Sequence, residues 1–146
     1  YMWGRPSAYH YNVYTEDENG KQYYNDGTEF AGLGSGSNNY APSNPALSER
    51  IEADIETFLA KNPDVKREDI PTDLLTASGS GLDPHISPES AEIQIPRIAE
   101  ASGLSEDKIR KIVADHTTGK ALGVFGEETV NVLKVNIEIA QALDLI

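Results

Sequence analysis

The 146-residue chain contains no cysteine and has little positive charge, and both shortages narrow its possible functions. Without cysteine, disulfide bonds, zinc–thiolate sites and a cysteine nucleophile are excluded. The 12 Lys and Arg residues are outnumbered by 24 Asp and Glu residues, which gives a formal net charge of −12. Phosphate groups repel such a chain, so binding to nucleic acids or to anionic lipid headgroups is disfavoured.

Long apolar runs are missing as well. No run approaches the roughly 18 apolar residues that a membrane-spanning helix needs, and no signal-peptide pattern is present. The length is that of one domain, and a domain of this size buries roughly 70% of its unfolded surface. The sequence is therefore long enough to form a hydrophobic core of its own.

The composition changes near residue 42. All seven tyrosines lie in the first 40 residues, together with the single tryptophan. Tyr9, Tyr11 and Val13 alternate with polar neighbours, which predicts a strand with one buried face. The stretch from 32 to 39 is rich in glycine, serine and asparagine and is typical of a flexible linker. Residues 1–42 are therefore interpreted as a Tyr/Gly-rich, β-rich N-terminal arm.

Within this arm, Asn19-Gly20 predicts a hairpin, because both central residues of a type I′ turn need positive φ. A two-residue loop there would set Glu18 opposite Lys21 and Thr15 opposite Tyr24. The first pair brings opposite charges together and the second joins two residues that favour strands, so both pairs support the hairpin.

Residues 43–146 are predicted to form a mainly helical α+β core. Ser43 or Asn44 can cap a helix that begins at Pro45 and ends at Asn62-Pro63. Apolar residues at helical spacing predict its buried face. These residues are Ile51, Ile55, Phe58 and Leu59.

A second helix is expected to open at Ser87-Pro88-Glu89 and to be kinked by Pro96, which lacks an amide donor. Gly103 has the features of a left-handed cap at its end. Ser105 is expected to cap the next helix.

The last segment is ambiguous from its pattern alone. The stretch from 130 to 139 alternates like a strand but also has helical spacing, and Glu127-Glu128 at its start favours a helix. Together these patterns predict one α+β domain, with several helices packed on a small sheet and the β-rich arm at its N-terminus.

The sequence offers little support for catalysis. His10, His85 and His116 are too scattered for a metal signature, so no metal site is predicted. Ala77 occupies the first glycine position that a nucleophile elbow would need around Ser78-Gly79-Ser80-Gly81. A hydrolase would require the fold to bring Ser80, His85 and an acid together by chance. We therefore predict no catalytic residue and no enzyme activity.

Four strings, by contrast, resemble a known family. They are GRPSA at 4–8, SNPAL at 43–47, LTASGSGLDPHISPESAEIQIPR at 75–97 and VNVLKVN at 130–136. Their order and contents resemble the C subunit of the Kdp-type potassium-transporting ATPase, over nearly the whole chain. Residues 12–31 have no counterpart in that family pattern and are interpreted as an insertion.

The resemblance implies a non-catalytic accessory subunit of a high-affinity, ATP-driven potassium uptake complex. Members of the family carry one N-terminal transmembrane helix, followed by a domain on the outer face of the bacterial cell membrane. The implied partners are a channel-like potassium-translocating subunit, a P-type ATPase subunit and a small single-helix subunit. The implied role is to stabilise this assembly and to act as a catalytic chaperone that raises the pump's apparent affinity for ATP. No cofactor is expected in the domain itself, although ATP could act through the pump subunit.

The resemblance also suggests Gln94, in QIPR, as a nucleotide contact. ATP binds the pump on the cytoplasmic side, whereas this domain is expected outside, so an indirect effect on the pump's conformation is the preferred explanation. Arg5, Ser7, Gln94 and Arg97 are the candidate partner contacts. Gln94 and Arg97 are expected to share an exposed helix face, which would either dock a partner or satisfy carbonyls loosened by Pro96. For Arg5 the alternative is a rigid turn that aims the chain into the domain.

Other motif residues have structural interpretations. Gly79, Gly81 and Pro84 are expected to fix the geometry of a loop in which Asp83 forms a cap. Two asparagines in the apolar C-terminal segment are expected to bond buried backbone, because unpaired polar groups there are costly. They are Asn131 and Asn136.

A second functional class stays open at this point. A free-standing extracellular binding module could use the tyrosine-rich arm as a sugar or peptide surface, since tyrosine combines apolar area with a polar group.

Overall fold

The computed structural model describes residues 1–7, 14–24, 27–29, 40–119 and 126–146. In these ranges the chain forms short strands and helices that confirm the expected α+β class. The strands are β1 Tyr14–Glu16, β2 Gln22–Tyr24, β3 His85–Ile86, β4 Thr117–Thr118 and β5 Thr129–Asn131. The helices are α1 Pro45–Lys61, α2 Pro88–Glu92, α3 Ile95–Ser102, α4 Glu106–Asp115 and α5 Val132–Ala142, with 3-10 turns at Arg67–Asp69 and Thr72–Leu74.

A three-stranded antiparallel sheet organises the core. Its strand order is β3-β5-β4, with His85 opposite Asn131 and Thr117 opposite Val130. The central strand β5 runs directly into α5. Deeply buried apolar side chains from the helices and from the sheet form the core. These include Ile86, Ile95, Ile98, Ile109, Val130, Val135 and Ile139.

The first helix follows its sequence signals closely. The Asn44 side chain accepts a hydrogen bond from the amide of Ala46 at 3.0 Å, Pro45 occupies the first turn, and the helix ends at Asn62. Its buried residues are Ile55 and Phe58. With 17 residues it is amphipathic, and in the described ranges no helix is both long and apolar enough to cross a membrane.

The expected kinked helix around Pro96 is wrong. The chain forms two helices there, α2 and α3, and Pro96 lies in the first turn of α3. An amide in the first turn has no partner within the helix, so proline is tolerated at this position. Gly103 then ends α3 with φ +73°, and the Ser105 side chain caps α4, both as expected.

The hairpin is present, but its expected register is wrong. Thr15 pairs with Tyr23 rather than Tyr24. The Asp17 amide donates to the Lys21 carbonyl at 2.9 Å, so residues 18–20 form the loop. The Asp17 carboxylate accepts hydrogen bonds from the amides of Asn19 and Lys21, both at 2.9 Å, and Gly20 has φ +76°. These contacts select a turn that ends in a left-handed glycine instead of a two-residue turn. The strand expected at residues 9–13 and the linker expected at 32–39 lie outside the described residues.

The ambiguous C-terminal segment contains both elements. Residues up to Asn131 belong to β5, and the helix favoured by the sequence begins at Val132. The Asn131 side chain accepts a hydrogen bond from the amide of Lys134 at 3.0 Å and so caps α5. Periodicity alone could not locate this boundary, because the apolar positions fit both patterns.

Candidate functional site around the N-terminal segment

The first seven residues, Tyr1–Ser7, are called the N-terminal segment here. They belong to no helix or strand, yet they contact α3, α5 and the loop around residues 76–83. Met2 is only 2% exposed and forms part of the hydrophobic core. The segment is thus an integral part of the folded domain.

An asparagine on α5 holds the backbone of Met2. Asn136 Oδ1 accepts a hydrogen bond from the Met2 amide at 2.7 Å, and Asn136 Nδ2 donates one to the Met2 carbonyl at 2.9 Å. This confirms that Asn136 satisfies buried backbone. Asn131 serves instead as the cap of α5.

Gln94 holds the backbone of Trp3 in the way that Asn136 holds that of Met2. Its Oε1 accepts a hydrogen bond from the Trp3 amide at 2.8 Å, and its Nε2 donates to the Trp3 carbonyl at 3.1 Å. Nε2 also donates to the carbonyl of Ser90 at 2.9 Å. Each of the two side-chain amides therefore bonds both backbone groups of one residue, as the facing residue of an antiparallel strand would.

Gln94 is fully buried, with 0% exposure, so the expected exposed face shared with Arg97 is wrong. The reason is the break between α2 and α3. Gln94 occupies the cap position of α3 and lies against the N-terminal segment. Burial of an amide requires its polar atoms to be bonded, and the contacts with Trp3, Ser90 and Arg97 meet that requirement.

Arg97 joins several parts of the site. Its Nε donates to Asn62 Oδ1 at 2.9 Å, and its Nη2 donates to the Tyr1 carbonyl and to Gln94 Oε1, both at 3.1 Å. The guanidinium lies 5.1 Å from the centre of the Trp3 ring, within cation–π range. Burial lowers the pKa of Arg97, but a guanidinium in a protein remains charged.

Arg5 anchors the other end of the N-terminal segment. Its Nε donates to the Thr76 carbonyl at 3.0 Å, its Nη2 donates to the Ala77 carbonyl at 3.3 Å, and its Nη1 lies 3.5 Å from Asp83 Oδ2. Arg5 is thus directed at the domain's own loop. Ser7 is exposed where the segment ends.

The loop before β3 links Arg5 to the sheet. Gly81 has φ +68°, and the Pro84 carbonyl accepts a hydrogen bond from the amide of Val132 at 2.9 Å. Asp83 Oδ1 lies 2.9 Å from the Nδ1 of His85 and accepts a hydrogen bond from its amide at 3.1 Å. Burial alone would raise the pKa of Asp83, but the hydrogen bonds from His85 and the nearby positive charges outweigh it and lower that pKa.

A serine–aspartate cluster supports the position of Gln94. The Asp73 carboxylate accepts hydrogen bonds from the Ser87 amide at 2.7 Å, the Ser87 hydroxyl at 3.1 Å and the Ser90 hydroxyl at 2.6 Å. These bonds fix the start of α2 and thereby the Ser90 carbonyl that Gln94 contacts. Sequence reasoning missed Asp73, since its position 14 residues before Ser87 matches no local motif.

A groove of about 210 Å³ lies beside the N-terminal segment. Trp3 and Phe58 line this groove and pack edge-on against each other, with ring centres 6.0 Å apart. Leu74 and Asp54 are also part of its lining. Its polar lining residues are bonded within the chain, since Asp54 pairs with Arg50 and the Thr57 hydroxyl donates to the Ala53 carbonyl. The arrangement therefore serves to hold one segment in a defined orientation, and sequence reasoning missed Trp3 and Asn62 as parts of it.

Comparison with known proteins agrees with the sequence resemblance. A family model described as "KdpC: K+-transporting ATPase, c chain" matches residues 1–141. The potassium-transporting ATPase KdpC subunit of Clostridium kluyveri is 59% identical over 145 residues, covering 99% of this chain and 66% of the relative. The corresponding subunit of Clostridioides difficile is 60% identical over 148 residues, covering 98% of this chain and 68% of the relative.

Both of these alignments run across residues 12–31, the region interpreted as an insertion. The subunit of Caldanaerobacter subterraneus, at 49% identity, matches over 115 residues, or 79% of this chain. The chain thus spans about two thirds of the length of the clostridial relatives. It belongs to the KdpC family, the c chain of K+-transporting ATPases.

Proposed function

We propose that this chain is a domain of a non-catalytic accessory subunit in an ATP-driven potassium uptake complex, and that it acts by holding a fixed orientation relative to its partners. The observation that carries this proposal is the pair of amides on Gln94 and Asn136, which bond the backbone of Trp3 and Met2. Such contacts orient a segment and perform no chemistry. Membership of the KdpC family supports the potassium-transport context.

In this proposal a single transmembrane helix precedes Tyr1, and the domain lies on the outer face of a bacterial membrane. A segment held at Met2 and Trp3 would give that helix and the domain a fixed relative geometry. The partners would be the channel-like subunit, the P-type ATPase subunit and the small single-helix subunit. Of the candidate partner contacts, Ser7 is exposed, whereas Arg5 and Arg97 bond carbonyls of the chain itself.

The proposed effect is a rise in the pump's apparent affinity for ATP through an indirect route. Gln94 uses its amide to bond Trp3, Ser90 and Arg97, so a nucleotide would have to displace the N-terminal segment to reach it. The indirect route needs no such displacement, because docking of the domain changes the apparent affinity for ATP by favouring one conformation of the pump. A coupling of about 1–3 kcal/mol would change the apparent affinity roughly 5- to 150-fold.

The test compares three variants in the reassembled complex: Gln94→Ala, Asn136→Ala and the control Gln141→Ala. Asn136→Ala weakens the same segment without touching Gln94, and Gln141 is exposed on the same helix. Potassium-stimulated ATP hydrolysis is measured against ATP concentration after assembly has been verified. We expect Gln94→Ala and Asn136→Ala to raise the ATP concentration for half-maximal rate alike, while Gln141→Ala follows the native chain.

A shift seen with Gln94→Ala alone would mean that Gln94 contacts the nucleotide directly, and the indirect route would be abandoned. Unchanged curves for assembled complexes of both variants would contradict the proposed role of the N-terminal segment. Native-like hydrolysis with the whole subunit omitted would contradict the accessory function itself.

A further inference from the structure

We infer that the N-terminal segment is a separate cooperative unit. The whole segment detaches from the rest of the domain before the helices unfold. This inference goes beyond the proposed function, because it concerns the chain alone and is tested without any partner. In the described part of the chain, the backbone groups of Met2 and Trp3 are bonded by the side chains of Asn136 and Gln94, not by a neighbouring strand. Detachment therefore disrupts no helix and no sheet.

The segment supplies few of the side chains of the hydrophobic core. The most deeply buried ones come from α2, α3, α4, α5 and the central sheet, whereas the segment contributes Met2 and, in part, Trp3. Residues that add few buried contacts to a core open at a lower free energy than the core itself. The core residues with exposure of 1% or less include Ile95, Ile98, Ile109, Val130, Val135 and Ile139.

Beyond Trp3, the segment is held through the side chain of Arg5. Its guanidinium donates to the Thr76 and Ala77 carbonyls and lies near Asp83. Thr76 and Ala77 belong to no helix or strand, so these contacts can also open without disrupting either.

Trp3 makes this inference measurable. It is the single tryptophan of the chain, it packs against Phe58 with ring centres 6.0 Å apart, and the Arg97 guanidinium lies 5.1 Å from its ring centre. Its emission therefore reports on the N-terminal segment. Ellipticity at 222 nm reports on α1–α5, to which the segment contributes no helical residue.

The experiment is a urea titration of the 146-residue chain, with both signals recorded on the same samples. We expect Trp3 emission to shift to the red, and its quenching by acrylamide to rise, at lower urea than the loss of helical ellipticity. Asn136→Ala removes two hydrogen bonds of the bound segment, so it should raise the detached fraction about 5- to 30-fold and leave the helical transition nearly unchanged. Gln141→Ala, on the exposed side of the same helix, should move neither transition.

Arg5→Ala provides a second variant should Asn136→Ala disturb α5. It removes contacts with the Thr76 and Ala77 carbonyls and should again move only the emission transition. Emission and ellipticity curves that superimpose in the native chain and in these variants would overturn the inference. They would mean that the segment unfolds together with the core.

Discussion

Asn136 lies 134 residues after Met2 in the sequence, yet its side-chain amide bonds both the amide and the carbonyl of that one residue, at 2.7 and 2.9 Å. The geometry is that of a strand pair in which a side chain replaces one strand. Gln94 repeats it at Trp3. Because a side-chain amide offers one donor group and one acceptor, it can satisfy an isolated stretch of extended backbone where no strand is available.

Met2→Ala tests how strongly the N-terminal segment is held by burial. Met2 is 2% exposed, and a buried Met→Ala change removes apolar contacts and leaves a cavity, at a cost of about 2–5 kcal/mol. We expect the urea midpoint of the Trp3 emission transition to fall, or the emission to be red-shifted already without urea.

Leu133→Ala is the matched control, because Leu133 is 61% exposed and its truncation should cost no more than about 0.5 kcal/mol. Equal urea midpoints of the Trp3 emission transition in Met2→Ala and Leu133→Ala would show that the burial of Met2 does not hold the segment.

Arg97→Lys tests whether the site needs a planar guanidinium or only a positive charge. The Nε and Nη2 atoms of Arg97 bond Asn62, Tyr1 and Gln94 in different directions, which a single ammonium group cannot reproduce. We expect a loss of about 1–3 kcal/mol in the stability of the bound segment, measured by Trp3 emission in urea.

The control is Arg110→Lys. Arg110 pairs with Glu92 and Glu106 on the surface, with its side chain 43% exposed, and such pairs contribute at most about 1 kcal/mol. Equal effects of the two substitutions would show that charge alone suffices at Arg97.

The helices could be predicted from the sequence because their signals are local. Caps at Asn44 and Ser105, the left-handed Gly103 and the apolar spacing of α1 all lie within a few residues of the structure they specify. The Pro96 region shows the limit of such signals, because a proline is compatible both with a kink and with a first turn. In the structure Pro96 lies in the first turn of α3.

The site could not be predicted because its contacts join distant parts of the chain. Gln94 and Trp3 are 91 residues apart, and a side-chain amide that bonds backbone at such a distance leaves no periodic pattern in the sequence. The sequence indicated that Asn136 would bond buried backbone, but it did not indicate which residue. The predicted register of the hairpin was wrong for a different reason. The carboxylate of Asp17 bonds the amides of Asn19 and Lys21, and the pairing is shifted by one residue.

Gly81→Ala tests the conformation of the loop before β3. Gly81 has φ +68°, where an added Cβ is strained, so the substitution should lower the free energy of unfolding by about 1–2 kcal/mol. Gly79→Ala serves as the comparison in the same loop, since a Cβ at Gly79 meets nothing within 4 Å and its φ is not positive. Urea unfolding followed at 222 nm should separate the two variants, and equal stabilities would contradict the prediction.

The Asp83 carboxylate gives a prediction for the pH dependence of stability. Burial would raise its pKa, but hydrogen bonds from the ring and amide of His85, together with the charges of His85 and Arg5, lower it below the ordinary 3.8. A lowered pKa in the folded state stabilises that state above pH 3.8, and this contribution is lost as the pH falls below it.

Asp83→Asn should therefore be less stable than the native chain at pH 7, and the difference should shrink as the pH is lowered through 3.8 towards 2. Because the Asp83 side chain is 35% exposed, solvent screening keeps the effect small. Urea midpoints at 222 nm for the native chain, Asp83→Asn and the exposed control Asp64→Asn would measure it. A stability difference that stayed constant down to pH 2 would mean that the bonds to His85 and Arg5 do not depend on the charge of Asp83.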